Sequence, residues 1–267
     1  MKTWTEAELV EKCFDEWGPE GKPATAELQS RYVKQWLQEK VRHHEHAAVA
    51  LIARIEAVLR EVQAELPADE RHRFFYRIDA QHLAKSPDSI LGKMLRDCES
   101  PPEGQPSICF NNFRDQMEDL GRFRIVTNFL SDAELVERAL TGAYASRGHV
   151  LTRAQKALHD EYKLKDNRFQ DRIRMRPSDR KKGERCYRGC FYPAQHVSLK
   201  VEVQIMTALA EAWDQKDHFL VYERRRRSEP VALQDDMEMY AHSELLYLAD
   251  VFFDQLKSRQ SDVGGAR

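Results

Sequence analysis

The sequence has few of the features that mark secreted, disulfide-rich proteins. Its five cysteines are an odd number, they form no CxxC pair, and they are scattered along the chain as Cys13, Cys98, Cys109, Cys186 and Cys190. This pattern predicts free thiols in a reducing compartment. It does not indicate a zinc site either, because the last two cysteines have no second ligand pair at a matching spacing.

Long hydrophobic runs are also missing. No apolar stretch is long enough to cross a bilayer, and the N-terminal sequence MKTWTEAELVEK is polar and has no signal core. We therefore expect a cytoplasmic protein with no membrane partner. The chain also has no large excess of charge of one sign. Its net charge is −2, so any affinity for polyanions would come from a local patch.

The 267 residues contain no internal repeat, no low-complexity tract and no clear linker. Apolar residues recur at helical spacing over 26–66, which predicts a long helix that ends at Pro67. Further helices are predicted over 89–97, 131–144, 208–222 and 245–260. Strands are predicted over 74–81, 123–126, 169–175, 190–194 and 199–206. About five strands alternating with helices predict an α/β or α+β domain with a sheet core.

Four segments carry residues suited to phosphate chemistry. In the first, Lys85, Ser89 and Lys93 are spaced four residues apart. One face of a helix would then present two ammonium groups and a hydroxyl beside the free N–H groups of the helix start. This arrangement can hold a triphosphate, although an exposed helix face with two lysines is common.

In the second segment, DLGRFRIV, Asp119 leads directly into an apolar strand that also carries Arg122 and Arg124. A carboxylate at a strand edge suits Mg²⁺, which prefers oxygen ligands and is usually held by one or two carboxylates together with phosphates. An Asp–Arg ion pair at the rim of a sheet is the structural alternative.

The third segment, residues 163–188, holds eleven Lys or Arg against four Asp or Glu and ends in the sequence RCYRG. A basic loop that closes on the ring of Tyr187, followed by Arg188 and a glycine, fits phosphate binding with a base stacked on the ring. A solvated charged loop is the alternative.

In the fourth segment, VEVQIMT, the side chains of Glu202, Gln204 and Met206 share one face of a predicted strand. Polar groups facing out of an otherwise apolar strand are costly unless they are used. A half-exposed antiparallel strand is the alternative. An Ala-Trp pair and His218 follow in the next predicted helix.

In this order, the four segments resemble the synthetase domain of the RelA/SpoT alarmone family, which includes small single-domain synthetases and related toxins. The family pattern is a Lys-Ser-Lys helix, D-x-x-x-x-R-I, a Tyr-Arg-Gly/Ser turn, and E-[IV]-Q-[IV]-x-T running into Ala-Trp and a histidine. The resemblance spans about residues 74–222. It implies a twisted mixed sheet flanked by helices, with an N-terminal helical segment 1–70, a synthetase core 71–225 and a C-terminal helical segment 226–267.

The resemblance also implies a pyrophosphokinase. It would transfer the pyrophosphate of ATP to the ribose 3′-hydroxyl of a purine nucleotide and release AMP, with Mg²⁺ as cofactor. Asp119 and Glu202 would be the catalytic and metal-binding pair, with Glu202 as second ligand or general base. The residues implied on the ATP side are Lys85, Ser89, Lys93, Arg122 and Arg124, the last stacking on adenine. Those implied on the acceptor side are Tyr187, stacking on the base, with Arg188, Gln204 and His218.

Four positions depart from the family pattern: a usual arginine is Leu83, a glycine is Arg122, a histidine is Phe191 and a second arginine is Met206. These changes spare the acidic pair and bear on the acceptor. The sequence also lacks the family's upstream hydrolase motif, because His159-Asp160 falls between the second and third segments. A synthetase without a hydrolase predicts separate control, for example by an antitoxin or immunity protein.

Three hypotheses stay open. The acceptor is GTP, GDP or an adenosine nucleotide; or the protein is a toxin that pyrophosphorylates the 3′ end of tRNA; or it is a non-catalytic binding module. The basic stretch and the run of arginines at 224–227 favour tRNA, but acids flank the run. Retention of Asp119 and Glu202 argues against a binding module. The long N-terminal helix is compatible with a homo-oligomer.

Overall fold

A computed structural model describes residues 5–17, 22–99, 107–141, 151–175, 183–226 and 229–264. Its helices are α1 (Glu6–Trp17), α2 (Ala26–Glu65), α3 (Ala68–Arg71), α4 (Pro87–Glu99), α5 (Phe113–Gln116), α6 (Leu130–Thr141), α7 (Arg153–Glu161), α8 (Ala208–Asp217), α9 (Glu223–Arg226) and α10 (Leu233–Gly264). Its strands are β1 (Tyr76–Asp79), β2 (Gly121–Thr127), β3 (Tyr162–Leu164), β4 (Gln170–Asp171), β5 (Tyr187–Pro193) and β6 (Val201–Thr207).

The strands form one mixed sheet in the order β1-β2-β6-β5-β3, with the short strand β4 paired to β5. Strands β2 and β6 are parallel, and the other neighbours are antiparallel. The predicted fold class, a mixed sheet flanked by helices, is therefore confirmed. The predicted strand 169–175 is reduced to the two residues of β4, and the three-residue strand β3 was not predicted because so short a run shows no clear alternation.

The longest helix, α2, begins and ends where the sequence predicted. The side chain of Thr25 accepts a hydrogen bond from the N–H of Leu28, which caps its start. Its C-terminal half belongs to the same buried cluster as the sheet, while its N-terminal half packs with α1 and α4 in a second cluster. The division of the chain into three segments stays a prediction, but α2 contributes to the core of the sheet domain.

Strand β2 lies directly against α2. A Cβ atom added at Gly121 would lie 2.9 Å from the backbone oxygen of His44, so only glycine fits where the two elements approach. The imidazole Nε2 of His44 is 3.2 Å from the backbone oxygen of Ser198, which precedes β6. Burial lowers the pKa of His44 to about 4, so the ring is neutral at pH 7. This contact fixes the starts of β2 and β6 beside each other.

Helix α10 begins at Leu233, twelve residues before the predicted start at 245, and it packs on α8 and α6. None of the helices in the described ranges combines the length and the apolar character that crossing a membrane requires. Residues 142–144 of the predicted helix 131–144 and residues 176–182 of the basic stretch lie outside the described residues.

A buried acid–hydroxyl pair joins α10 to the start of α8. The hydroxyl of Thr207 donates to Asp250 at 2.5 Å and accepts from the N–H of Ala210, the first-turn bond of α8. Burial raises the pKa of Asp250 to about 6 from an ordinary 3.8. The folded state therefore binds this proton more tightly than the unfolded chain does.

This pair gives a stability prediction with a defined sign. The free energy of unfolding should fall as the pH rises from about 4 to 6 and then level off, because folding must keep a charged Asp250 buried. Asp250→Asn keeps an oxygen for the Thr207 hydroxyl and should raise that free energy by about 1–2 kcal/mol at pH 8. Urea unfolding of both proteins at pH 4.5 and pH 8 checks this; a stability gain of the variant over the wild type that is no larger at pH 8 than at pH 4.5 would contradict it.

Candidate active site

One face of the sheet is polar and the other is packed in the core. Because side chains alternate along a strand, the register places Arg122 beside Glu202 and Arg124 beside Gln204, with Arg188 beside Gln204 on the other side. We call this the polar face. The structure thus brings together most of the residues that the second and fourth segments predicted.

Asp119 lies just before β2 and is held between two lysines. Its Oδ2 forms a short ion pair with Nζ of Lys85, and its Oδ1 accepts from Nζ of Lys93 at 3.0 Å. Burial alone would raise the pKa of Asp119, but the two ammonium groups hold it well below its usual range. The backbone N–H of Lys85 donates to the oxygen of Leu120 at 2.9 Å, so the loop before α4 is bound to the start of β2.

Glu202 occupies the middle of the polar face and is only 6% exposed. Its carboxylate forms an ion pair with Arg188 and accepts a hydrogen bond from Nε2 of Gln204 at 2.9 Å. Burial raises the pKa of Glu202; Arg188 opposes that shift and the charge of Asp119 adds to it. A carboxylate with a raised pKa is a stronger base than an ordinary glutamate, which suits it to accept a proton.

No sequence pattern indicated Glu184, which completes this network. Its Oε1 accepts from Nε2 of Gln204 at 3.1 Å, and its Oε2 pairs with Arg172 at 2.5 Å. The only signal available was an acid standing alone among the bases of the third segment. Its role depends on the loop that brings it over β6, which no periodicity predicts.

Helix α8 holds two arginines over the polar face. Arg124 pairs with Asp214 at 2.5 Å and also donates from Nε to Gln204 at 3.3 Å. Arg77 of β1 pairs with Glu211, one turn earlier on the same helix. Arg122 is different, because its guanidinium makes no ion pair with any residue in the described ranges.

Two predicted acceptor residues lie apart from this network. Tyr187 is in the main core cluster on the opposite face of the sheet, where burial raises the pKa of its hydroxyl to about 12. His218 is on the exposed π-helical turn after α8, with its ring 4.8 Å from that of Tyr222. Ser89 lies in the first turn of α4, and its hydroxyl accepts from that of Ser86 at 2.9 Å.

The departures from the family pattern have different surroundings. Leu83 packs against the core, and Phe191 is buried with its ring centroid 5.9 Å from that of Phe169. Met206 is buried in a small apolar cluster with Val126 and Cys186. Apolar residues at these three positions therefore extend the core, whereas Arg122 adds a cation to the polar face.

A cleft of about 660 Å³ lies at the β5 side of the polar face, where Arg188, the ion-pair partner of Glu202, lines it. Four cations line it, and they share it with three acids and the thiol of a buried cysteine; the cations are Lys165, Arg168, Arg172 and Arg188. The turn that carries the first two has left-handed backbone at Asp166 (φ 57°) and Asn167 (φ 53°), residue types that tolerate it best. The cleft can accept a phosphorylated ligand next to the buried carboxylate.

Because Gly189 has no side chain, the ring of Phe169 can pack against it in the wall of this cleft. A Cβ atom there would lie 2.6 Å from Cε1 of the Phe169 ring, so an added methyl group would displace a buried aromatic side chain. We expect Gly189→Ala to lower the free energy of unfolding by about 1–3 kcal/mol. Urea unfolding measures the loss. The double variant Gly189→Ala, Phe169→Leu should recover part of it, and a fully stable single variant would contradict the prediction.

The two carboxylates fit a divalent cation. Asp119 and Glu202 lie near the starts of adjacent parallel strands, and each carries negative charge that raises the cost of ionising the other. No group of three or more His, Cys, Asp or Glu in the described residues is placed to hold a metal alone. Protein sites often bind Mg²⁺ through one or two carboxylates, with phosphates and water completing the shell.

No protein-family model matches the sequence, and no curated protein matches it significantly. Solved structures do match, and they share the fold of small alarmone synthetases.

Small alarmone synthetase 1 from Bacillus subtilis, bound to its product pppGpp, has a TM-score of 0.58 and 20% identity over 85% of this chain and 98% of its own. A GTP pyrophosphokinase family protein from Streptococcus pneumoniae gives 0.56 and 14% over 86% and 96%. Small alarmone synthetase 2 from Bacillus subtilis gives 0.52 and 16% over 83% and 98%. The resemblance is thereby confirmed at the level of the fold.

Proposed function

We propose that the protein is a pyrophosphotransferase that uses ATP as donor and the ribose 3′-hydroxyl of a purine nucleotide as acceptor. The hydroxyl oxygen attacks the β-phosphorus, the bond between that phosphorus and the bridging oxygen to the α-phosphate breaks, and AMP leaves. The products are AMP and the 3′-pyrophosphorylated nucleotide, and the hydroxyl proton passes to a base.

One observation carries the proposal. The carboxylates of Asp119 and Glu202 lie near the starts of adjacent parallel strands, with a lysine pair on one side and the cationic cleft on the other. Transfer between two phosphorylated substrates requires this order of donor site, acidic centre and acceptor site. The similar fold of small alarmone synthetase 1 from Bacillus subtilis, which was solved with its product pppGpp, supports the same reaction class.

On the donor side, Lys85, Lys93 and Arg122, which has no ion pair within the described ranges, would bind phosphate oxygens. Arg124 lies farther along the polar face, where Asp214 and Gln204 hold its guanidinium in one orientation. A fixed, planar cation can stack on a purine ring. These side chains would therefore set the donor in line with the acceptor hydroxyl, which is the main source of catalysis in such transfers.

At the centre, Asp119 would hold the metal and Glu202 would accept the proton of the attacking hydroxyl. Magnesium, when bound, supplies charge neutralisation for the phosphate oxygens. Arg188 opposes the rise that burial causes in the pKa of Glu202, and Gln204 donates a hydrogen bond to its carboxylate. The cleft cations would bind the phosphates of the acceptor nucleotide.

A nucleotide acceptor is favoured over tRNA by the ion pairs of two arginines in the run 224–227. Arg224 lies 3.7 Å from both Glu229 and Asp235, and Arg225 pairs with Asp236. Such neutralised arginines offer little attraction to a polynucleotide backbone. Control by an antitoxin or immunity protein and a homo-oligomeric state stay predictions from the sequence.

The test supplies ATP labelled at the γ-phosphate with GDP, GTP, AMP, ADP or deacylated tRNA in separate reactions containing Mg²⁺. We expect label in a purine nucleotide together with equimolar AMP. Label in tRNA alone would replace the nucleotide by the tRNA 3′ end as acceptor. No labelled acceptor, or equal labelling by Asp119→Asn, would refute the proposal.

A further inference from the structure

The lysine pair assigned to the donor phosphates is already occupied by an anion of the protein itself. Each oxygen of the Asp119 carboxylate contacts a different ammonium group, Nζ of Lys85 on one side and Nζ of Lys93 on the other. Lys85 is only 8% exposed, so it has little water to replace this partner. The carboxylate lies where a bridging phosphate group would place two of its oxygens.

We infer that Asp119 is an internal competitor of the donor phosphates, and that the two lysines become available only when the charge of this carboxylate is taken up by a cation. The inference rests on the proposed function for the identity of the natural anion. This competition predicts that a nucleotide and a divalent cation each increase the affinity of the protein for the other. The coupling arises within the protein and adds to the affinity of the nucleotide for the cation in solution.

A structural ion pair is the alternative, since the same contacts attach the loop before α4 to the start of β2. The two interpretations differ in one respect. If Asp119 only anchors α4, removing its charge costs stability and leaves anion affinity unchanged or weaker. If it competes with phosphate, removing its charge creates an anion site that needs no metal.

Arg122 shows why the competition is confined to the lysines. Its guanidinium has no ion pair in the described ranges; burial lowers the pKa of Lys85, and the positive charge of Arg122 adds to that effect. A metal-free anion could therefore contact Arg122 without displacing anything. Its contact with Lys85 and Lys93 would require the Asp119 carboxylate to move or lose its charge.

The probe is inorganic tripolyphosphate, titrated by calorimetry in EDTA at pH 7 and low salt. We expect Asp119→Asn to bind tripolyphosphate about tenfold more tightly than the wild type does, because one charge-assisted contact with the lysines is regained. Lys93→Met should weaken binding less than twofold in the wild type but remove the gain in the Asp119→Asn background. Asp115→Asn, the same charge change at an exposed residue of α5, should have less than a twofold effect.

Equal or weaker binding by Asp119→Asn would overturn the inference, and so would a gain that persists in the double variant. Thermal unfolding checks that each variant is folded, and Asp119→Ser, which keeps an oxygen for Lys85, repeats the test with a second side chain. If only the proposed function is wrong, tripolyphosphate binding will follow the expected pattern but no acceptor will take label from ATP.

Discussion

Replacing Glu202 with glutamine is expected to lower kcat by about 10³-fold or more, within the range that loss of a general base produces. The substitution preserves shape and can keep the hydrogen bond from Gln204, but the amide accepts no proton and leaves Arg188 without its counter-ion. The measurement is AMP release under saturating ATP and acceptor. Binding of both nucleotides should change far less than kcat.

The pH profile and the magnesium requirement distinguish the two roles of Glu202. As a base it must be ionised, so kcat of the wild type should fall as the pH drops through the pKa of Glu202, which burial raises above that of an ordinary glutamate. Glu202→Gln should lose this limb and keep the wild-type dependence on Mg²⁺ concentration. A variant that instead needs far more Mg²⁺ would identify Glu202 as a metal ligand.

Replacing Arg122 with glutamine is expected to raise the KM for ATP by about 10- to 100-fold at little cost in stability, because one charge-assisted phosphate contact is lost. Arg122 has no ion pair in the described part of the chain, so no buried acid is left unpaired. The measurement is steady-state kinetics at saturating acceptor, accompanied by urea unfolding.

Arg124→Gln is the matched control on the same strand. It leaves Asp214 without its guanidinium, and burial already raises the pKa of that acid. We therefore expect a loss of stability of about 1–3 kcal/mol together with weaker ATP binding. If both variants lose the same stability, Arg122 makes a structural contact that the prediction excludes; if Arg122→Gln leaves the KM for ATP unchanged, Arg122 has no role at the donor phosphates.

Strong local patterns predicted the elements best. The periodic apolar residues of α2 predicted its bounds almost to the residue, and the apolar runs around Ile125 and Val203 predicted the two parallel strands. Strand β3 and the first third of α10 were missed, because a three-residue strand has no pattern and the start of α10 has no clear apolar stripe. Tertiary contacts determine these elements.

The start of β5 decided which aromatic and basic residues share a face. The sequence placed this strand at 190–194, whereas it begins at Tyr187. Alternation from that position directs Tyr187, Gly189 and Phe191 to the core, and Arg188 and Cys190 to the polar face. The loop sequence before β5 does not show which side chains face the core, because the face of each side chain depends on the residue at which pairing with β6 begins.

By itself, the sequence determined the class of sheet, and it predicted the acidic pair and the lysines, since each depends on residue type and on spacing within one element. The tertiary structure alone decided that Asp119 lies between both lysines, that Glu184 joins Gln204 to Arg172, and that Arg122 has no ion pair in the described residues. These relations join residues far apart in the chain. Folding brings them together through strand register and loop paths that local spacing does not encode.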